Sequence, residues 1–300
     1  MKYLIRKTLI FILAPALAIV SIIFIASFLL RSLAYNDKVD SNISTVFIGD
    51  SHIQLAINDS IITQSLNLAK ESESFYFSFF KLKMLLESNT TIKHVYLGLG
   101  FHSLSDYCDK SIDGQNSSSI APTYYCIMPV REQLRIIYWN RTNLAIFMKN
   151  LSTEWVSQAL NNNDYSFMGG FLPFRNDELF LVDSIIDDRL NSQFFNNGNL
   201  NSFSDLNILY LYKIADLCKI NDVDFTVLNT PLHEYYYQKT PKAYKDKLNE
   251  IILAHQWKYI DLSCFMLNDN CFMPDGDHIS SLGAEKTSIK LKEIINANHN

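Results

Sequence analysis

A serine that follows a short apolar strand is the first residue in this sequence that could do chemistry. Ser51 stands in Gly49-Asp50-Ser51-His52, directly after the apolar residues 46–48, and a segment that could be helical comes next. A strand, a glycine turn and a helix lift a side chain out of the sheet edge and place backbone N–H groups around it. Such a serine can act as a nucleophile if a histidine reaches it. The alternative is an ordinary serine in a strand-to-helix turn.

The last part of the chain supplies a histidine that could reach this serine. His278 stands before a predicted helix, three residues after Asp275 and next to Asp277. A carboxylate that accepts from Nδ1–H would leave Nε2 free to take a proton from a serine hydroxyl. Asp275 is the better candidate for this role, because Asp277 is adjacent to the histidine and would usually point away from its ring. In a doubly wound sheet the first strand and the last βα loop open on the same edge, so Ser51 and His278 could meet.

The elements that must position these residues alternate along the chain. The predicted strands are 45–48, 65–69, 94–100, 224–229 and 259–262, and the predicted helices are 53–65, 72–88, 203–220, 243–255 and 281–296. Alternating strands and helices indicate a parallel sheet with helical crossovers. We therefore predict an α/β fold, a flavodoxin-like three-layer doubly wound parallel sheet of about five strands.

Residues 103–204 interrupt this alternation. They contain Asn-rich loops, irregular stretches and one predicted helix at 130–151. Insertions at the carboxyl ends of strands commonly build substrate sites. We therefore expect one domain, 44–300, whose large insertion after the third strand covers the top of the sheet.

An apolar segment precedes this domain. Residues 8–30 carry no charge and are rich in Ile, Leu, Phe and Ala, and at about 1.5 Å per residue such a helix spans a hydrocarbon core of roughly 30 Å. Basic residues within 1–7 put the N-terminus in the cytoplasm by the positive-inside rule. We expect one transmembrane helix at 8–30 and a linker at 31–43. A cleaved signal peptide with its cleavage site at 32–34 is the alternative.

Charge and cysteine usage exclude some classes of protein. A net charge of −5 argues against a nucleic-acid-binding protein. The five cysteines form no Cys-x-x-Cys motif or Cys/His cluster, so we expect no metal and no cofactor. In an oxidising compartment, Cys264 with Cys271 and Cys108 with Cys126 could form short-loop disulfides. Cys218 lies in a helical pattern and is expected to be a buried thiol.

The two polar blocks together resemble those of the SGNH, or GDSL-like, hydrolases and acyltransferases. They read Gly49-Asp50-Ser51-His52 and Asp275-Gly276-Asp277-His278, the latter followed by Leu282-Gly283-Ala284. With the leading apolar segment, the chain looks most like the membrane-anchored envelope branch of that family. This branch includes proteins for O-acetylation of exopolysaccharide and for D-alanylation of teichoic acids. The resemblance covers residues 44–102 and 222–296.

The resemblance implies a serine esterase or O-acyltransferase, with acetyl as the first guess for the acyl group. Ser51 would be the nucleophile, His278 the general base and then acid, and Asp275 the residue that orients the imidazole. It also implies a single-pass protein of a bacterial cytoplasmic membrane, with its domain outside the cytoplasm. Its substrate would be an envelope polysaccharide or glycolipid, and a membrane-bound acyl-donor protein is a candidate partner.

Two departures from the family concern the oxyanion hole. The family has a donor glycine after the second strand and a donor asparagine in a Gly-x-Asn-Asp motif after the third strand. In this chain residues 69–72 contain no glycine, and residues 98–102 contain no asparagine. Loss of one donor costs about 2.7–4 kcal/mol of barrier in other enzymes, so we expect substitutes. The candidates are the backbone N–H groups of Ser51, Ser72 and Gly100, and His102. A catalytically inactive envelope protein of the same fold, which binds a polymer or a membrane partner, is the alternative.

Three histidines could also face this edge of the sheet. His52 either lines the site or starts the helix, and His102 follows the third strand. His233 follows the fourth strand and is expected at the same rim.

Overall fold

The structure is a computed structural model that describes residues 2–36, 39–160, 165–174 and 181–298. Its strands are β1 (Thr45–Ile48), β2 (Ser65–Asn67), β3 (His94–Gly98), β4 (Phe195–Asn196), β5 (Asn199–Leu200), β6 (Asp224–Asn229) and β7 (Lys258–Asp261). Its α-helices are α1 (Lys2–Asn36), α2 (Ser51–Ala56), α3 (Phe75–Ser88), α4 (Ser117–Tyr124), α5 (Val130–Trp139), α6 (Leu144–Leu160), α7 (Asp183–Phe194), α8 (Asp205–Ile220), α9 (Glu234–Lys239), α10 (Lys242–His255) and α11 (Ser281–Asn298).

Five of these strands form one parallel sheet in the order β2-β1-β3-β6-β7. The side chains of Val46, Phe47 and Ile48 in β1 are wholly buried, as expected for a central strand with helices on both faces. After β1 the chain adds β2 on one side of it and then β3, β6 and β7 on the other side, so the strand order reverses between β1 and β3. Ligands bind at such a point in open α/β sheets. The predicted α/β fold with five parallel strands is confirmed, and it fits a flavodoxin-like arrangement.

Two predicted helices are wrong in extent. The helix predicted at 53–65 ends at Ala56, because Asn58 then turns the chain: its side chain accepts from the N–H of Ser60. The helix predicted at 130–151 is two helices, α5 and α6. Asn140 ends α5, where its side-chain amide donates to the carbonyl of Ile136 and to the hydroxyl of Ser117, each at 2.9 Å. The short helix α9 and the hairpin β4–β5 lie where no element was predicted.

A buried ion pair ties residues of the insertion to the sheet. Glu73, just before α3, accepts from Lys81 of the same helix, and both side chains are fully buried. Lys81 also donates to the carbonyl of Leu68 at the end of β2, and the hydroxyl of Tyr124 in α4 donates to Glu73 at 2.8 Å. A buried pair is costly to break, by about 3–5 kcal/mol when one partner is removed. α4 is therefore held at the carboxyl edge of the sheet.

A second segment of the insertion is fixed over the same edge. The N–H of Gly170 donates to the carbonyl of Ala69 at 3.1 Å, and the N–H of Leu172 donates to the carbonyl of Gln54 at 3.1 Å. Gly169 has a φ of +67°, and a Cβ there would lie 2.1 Å from the Ala69 carbonyl oxygen. Only glycine allows this approach, and through it residues 165–174 cover the start of α2.

α1 contains the predicted anchor, residues 8–30. The later part of this helix packs on the domain through Ile23, Ser27 and Leu30, and the guanidinium of Arg31 donates to the carbonyl of Met128 at 3.4 Å. Within the ranges that the structure describes, no helix has the length and apolar character needed to cross a membrane. The anchor remains a prediction.

The five cysteines are free thiols, so neither proposed disulfide is present. Cys108 donates to the carbonyl of His102, whereas the thiol of Cys126 is buried beside Gln158. Cys271 is buried and Cys264 is exposed. Proximity in sequence suggested both pairs, but the turns between their members direct the thiols to different neighbours. Cys218 is buried.

Candidate active site

Ser51 is the first residue of α2, at the carboxyl end of β1. Gly49 has a φ of +142° and lies so close to β3 that a Cβ would be 3.3 Å from the nitrogen of Gly98. Asp50 then caps the helix, since its side chain accepts from the N–H of His52 at 3.0 Å. The glycine thus turns the chain, the aspartate starts the helix, and the serine is presented at the sheet edge.

The structure joins Ser51, His278 and Asp275 in one hydrogen-bonded chain. The Ser51 Oγ and the His278 Nε2 are 2.8 Å apart, and the His278 Nδ1 is 2.7 Å from the Asp275 Oδ2. The other oxygen of Asp275 accepts from the backbone N–H groups of Asp277 and His278, each at 3.1 Å. With Asp275 as acceptor, Nδ1 carries the proton and Nε2 can accept from the serine hydroxyl.

Asp275 remains a carboxylate in this setting. Burial acts to raise its pKa, but the hydrogen bond and the charge of the neighbouring His278 outweigh burial and hold the pKa below its usual value. A permanent carboxylate can stabilise an imidazolium on His278.

A backbone hydrogen bond from His233 supports the loop that carries His278. Gly276 has a φ of +62°, and its carbonyl accepts from the N–H of His233 at 2.9 Å. The side chain of His233 caps α9 by accepting from the N–H of Tyr235 at 3.2 Å. His233 does not line the cavity that contains Ser51; it supports the loop instead of facing the expected rim.

A second network of acids and histidines lies directly beneath His278. The His52 Nε2 is 2.8 Å from Asp277 and its Nδ1 is 3.3 Å from Asp50. The His52 ring stacks on the ring of His278 at 4.8 Å between centroids and lies 4.1 Å from that of His102. His52 is thus a buried bridge between the two acidic residues, and it stands next to the site without lining the open cavity.

The two carboxylates keep His52 protonated. Burial would lower the pKa of His52, but Asp277 and Asp50 raise it to about 10. Burial acts to raise the pKa of Asp277, yet His52 and then Arg189 hold it well below its usual value. For His102, burial and the nearby charge of His52 lower the pKa, so its neutral ring donates through Nε2 to Asp50 at 2.7 Å.

Asp277 forms its side-chain hydrogen bonds with residues other than His278. One oxygen contacts His52, and the other accepts from the Nε of Arg189 and the Nε2 of Gln193, each at 2.8 Å. Both donors come from α7, in the insertion. Of the two acids considered for the role, Asp275 therefore contacts His278, and Asp277 fixes the layer below it.

These acids and histidines also form two groups close enough to hold a metal ion. Asp50, His52 and His102 form one, and His52, Asp277 and His278 form the other. His52 belongs to both groups, and its two ring nitrogens face Asp277 at 2.8 Å and Asp50 at 3.3 Å.

A cavity of about 440 Å³ opens beside Ser51. Its wall includes Ser51, His278 and Asp275 of the hydrogen-bonded chain, and Ser72. The insertion contributes Tyr107, Leu172, Phe174 and Arg189, among others, to this wall. Cavities of roughly 300–1,000 Å³ hold small organic ligands. The cavity can therefore take an acyl group together with part of an alcohol.

Ser72 lies in the turn between β2 and α3, the region where the family that the sequence resembles has its glycine donor. Its φ is +61°, a left-handed conformation that usually requires glycine, and it lines the cavity with Ser51. Within the described ranges, the Ser72 N–H has no hydrogen-bond acceptor. By contrast, the Gly100 N–H already donates to the Ser103 hydroxyl at 3.3 Å. Of the candidate donors, the N–H groups of Ser51 and Ser72 therefore remain without an acceptor in the described ranges, whereas His102 is engaged with Asp50.

Sequence reasoning missed three residues of the site. Arg189 and Gln193 lie in a helix of the insertion that no pattern predicted. Asp50 was assigned no role beyond its place in the motif, although it links His52 and His102. The place of Asp50 directly before a predicted helix is typical of a helix cap and could have indicated its role. The sequence offers no such signal for Arg189 or Gln193.

No family model matches the chain, and no curated protein matches its sequence. Solved structures with a similar overall arrangement include a GDSL-like lipase from Bacteroides thetaiotaomicron, with 9% identity, a TM-score of 0.41, and coverage of 87% of this chain and 91% of that one. A Bacteroides fragilis protein provisionally described as an acylhydrolase has 10% identity, a TM-score of 0.40, and coverage of 90% and 95%. These values are too low to transfer an activity, so the case for function depends on the geometry of the site.

We expect His52 to remain an imidazolium well above neutral pH. Because its folded pKa, about 10, exceeds the unfolded value near 6.5, its contribution to stability is complete below about pH 6.5 and is lost as pH rises through 10. Nitrogen-15 NMR of histidine side chains should show both His52 nitrogens protonated at pH 8, with His102 neutral. A neutral His52 at that pH would contradict the charged bridge.

We expect the Ser72 backbone, and not its hydroxyl, to serve the site. Ser72→Ala and Ser72→Gly both keep the N–H, so each should retain ester hydrolysis within about threefold of the parent protein. Loss of a true oxyanion donor costs about 10²–10³ in kcat. A loss of that size in Ser72→Ala, measured by kcat with folding checked by circular dichroism, would assign the donor to the hydroxyl.

Proposed function

We propose that this protein is a serine esterase or O-acyltransferase that works through an acyl-enzyme on Ser51. The observation that supports this most directly is the chain Ser51–His278–Asp275, with contacts of 2.8 and 2.7 Å, at the wall of a cavity of about 440 Å³. In this hydrogen-bonded series Ser51 has the position of a nucleophile, His278 that of the base and Asp275 that of the orienting carboxylate.

The first half of the reaction forms the acyl-enzyme. The Ser51 Oγ attacks the acyl carbonyl carbon while its proton passes to the His278 Nε2, and Asp275 stabilises the imidazolium. The N–H groups of Ser51 and Ser72 donate to the oxyanion that develops. When the tetrahedral intermediate collapses, the C–O bond to the alcohol breaks, and the leaving oxygen takes the proton from His278.

The second half decides between hydrolysis and transfer. Water or an acceptor hydroxyl gives its proton to His278 and attacks the acyl carbon, which releases Ser51. The two outcomes differ only in how well the site excludes water at this step. Segment 165–174, packed over α2, covers the site on one side, which favours a shielded intermediate.

The substrate class and location that we propose follow from the resemblance to the envelope branch. The acyl group is acetyl, and the acceptor or substrate is a cell-envelope polysaccharide or glycolipid. The donor is a small activated ester or a membrane-bound acyl-donor protein. Residues 8–30 anchor the chain in the bacterial cytoplasmic membrane, with the domain on the extracytoplasmic side.

Labelling by a fluorophosphonate probe tests the catalytic role. We expect Ser51→Ala to abolish labelling, and Asp275→Asn to lower kcat for 4-nitrophenyl acetate by about 10³–10⁴, because the imidazole loses its orienting charge. Ser184→Ala, a change at an exposed serine of α7, is the matched control and should behave as the parent protein. A folded parent protein that neither labels nor turns over the ester would instead support a binding role without catalysis.

Access to Cys264 tests the proposed location. Cys264 is the exposed thiol, whereas Cys126, Cys218 and Cys271 are buried. A membrane-impermeant maleimide should label it in intact spheroplasts, and Cys264→Ser should remove this label. Labelling that appears only after lysis would place the domain in the cytoplasm.

A further inference from the structure

We propose that one face of α5 lies on the surface of an anionic lipid bilayer and seats the domain against the membrane. We call it the α5 face: Val130, Leu134, Tyr138, Arg131 and Arg135 of α5, together with Arg141 just after its end. The inference rests on the proposed membrane location, and it does not depend on the catalytic assignment.

The apolar side chains of the α5 face form a row that is exposed within the described ranges. Val130, Leu134 and Tyr138 recur at intervals of four residues, so they line one side of the helix. They are 52%, 52% and 63% exposed, while Gln133 and Ile136 on the other side are buried. Three large exposed apolar side chains in register are unusual for a helix that contacts only water.

Arginines border this row on one side. Arg131 and Arg135 are again four residues apart, and the guanidinium of Arg141 lies 4.6 Å from the centre of the Tyr138 ring. The guanidinium of Arg135 lies 5.5 Å from the centre of the Trp139 ring. Aromatic rings beside cations are typical of helices at the headgroup level of a bilayer. Arg135 also pairs with Glu132 at 2.9 Å, so the three arginines leave a local excess of two positive charges. The chain as a whole carries −5, and this local excess favours an anionic surface.

α1 brings the end of the predicted anchor next to the start of α5. α1 packs on the turn Tyr125–Ile127, directly before α5, and Arg31 donates to the carbonyl of Met128. Arg31 immediately follows the predicted anchor. Burial of Ile23, Ser27 and Leu30 against the domain means that the insertion runs beside the last two turns of that anchor, about 10 Å of helix. Interfacial helices sit about 5–10 Å into the headgroup region.

A lipid surface is a better occupant than a protein for this face. Arginines run the length of the row, and the predicted anchor ends beside the start of α5, so a bilayer is the surface that lies nearest to this face. Lipid phosphates also accept hydrogen bonds from guanidinium groups. Basic side chains near an anionic leaflet strengthen the attraction to the membrane surface.

Photocrosslinking of the full chain identifies the occupant. A diazirine amino acid replaces Leu134 or Tyr138, and the matched controls carry it at Ile220 or Leu253, which are 81% and 76% exposed. The protein is reconstituted in vesicles of phosphatidylglycerol and phosphatidylcholine. We expect a lipid adduct by mass spectrometry at positions 134 and 138 in at least about tenfold excess over positions 220 and 253.

Charge variants test the contribution of the arginines. Arg131→Gln with Arg141→Gln should lower the lipid adduct at position 134 several-fold. Lys242→Gln with Lys247→Gln, on α10, removes the same charge elsewhere and should leave the adduct unchanged.

Three results would overturn the proposal: equal adducts at all four positions, no adduct at 134 and 138, or a protein adduct there in native membranes. The last would assign the face to a protein partner. Fluorophosphonate labelling of Ser51 is followed in every sample, so a failure of membrane contact is distinguishable from a failure of the catalytic assignment.

Discussion

The ion bridge Asp50–His52–Asp277 is the interaction on which the rest of the site depends. It joins the turn after β1 to the loop before α11, which are more than two hundred residues apart in sequence. Buried charges of this kind persist only when each is paired and hydrogen-bonded. Asp50 caps α2 and Asp277 is held by two side chains of α7, so each end of the bridge is fixed by a different element. The turn that carries Ser51 and the loop that carries His278 are thereby held in a fixed position relative to each other.

The insertion contributes to this constraint as well as covering the site. Arg189 and Gln193 of α7 hold Asp277, and the hydroxyl of Tyr236 in α9 donates to Gln193. Loss of α7 would remove two of the donors that compensate the burial of the Asp277 carboxylate, and the His278 loop would lose that support. A segment that reads as irregular in sequence is thus part of the framework that positions the catalytic candidates.

The sequence predicted the sheet better than the insertion for a physical reason. Strands such as 45–48 and 224–229 are short apolar runs that end in turn signals, and their bounds agree with β1 and β6. The elements between 103 and 204 depend on distant partners. Asn140 ends a helix because Ser117 accepts from it, a contact that no local pattern encodes. The left-handed backbone of Ser72 is equally unreadable, because it is imposed by the turn between β2 and α3.

The charge balance of the site explains why an imidazolium can stand directly beneath a second histidine. Asp50, Asp275 and Asp277 are ionised, while His52 and Arg189 are cations. These five residues therefore sum to one net negative charge. In the proposed mechanism, a proton that passes from Ser51 to His278 brings the sum with His278 to zero, while the negative charge moves to the oxyanion on the substrate. Asp50 and Asp277 balance the charges of His52 and Arg189, so the layer beneath His278 carries no net charge although the His52 ring lies 4.8 Å from the His278 ring. Asp275 then supplies the negative charge that stabilises a protonated His278.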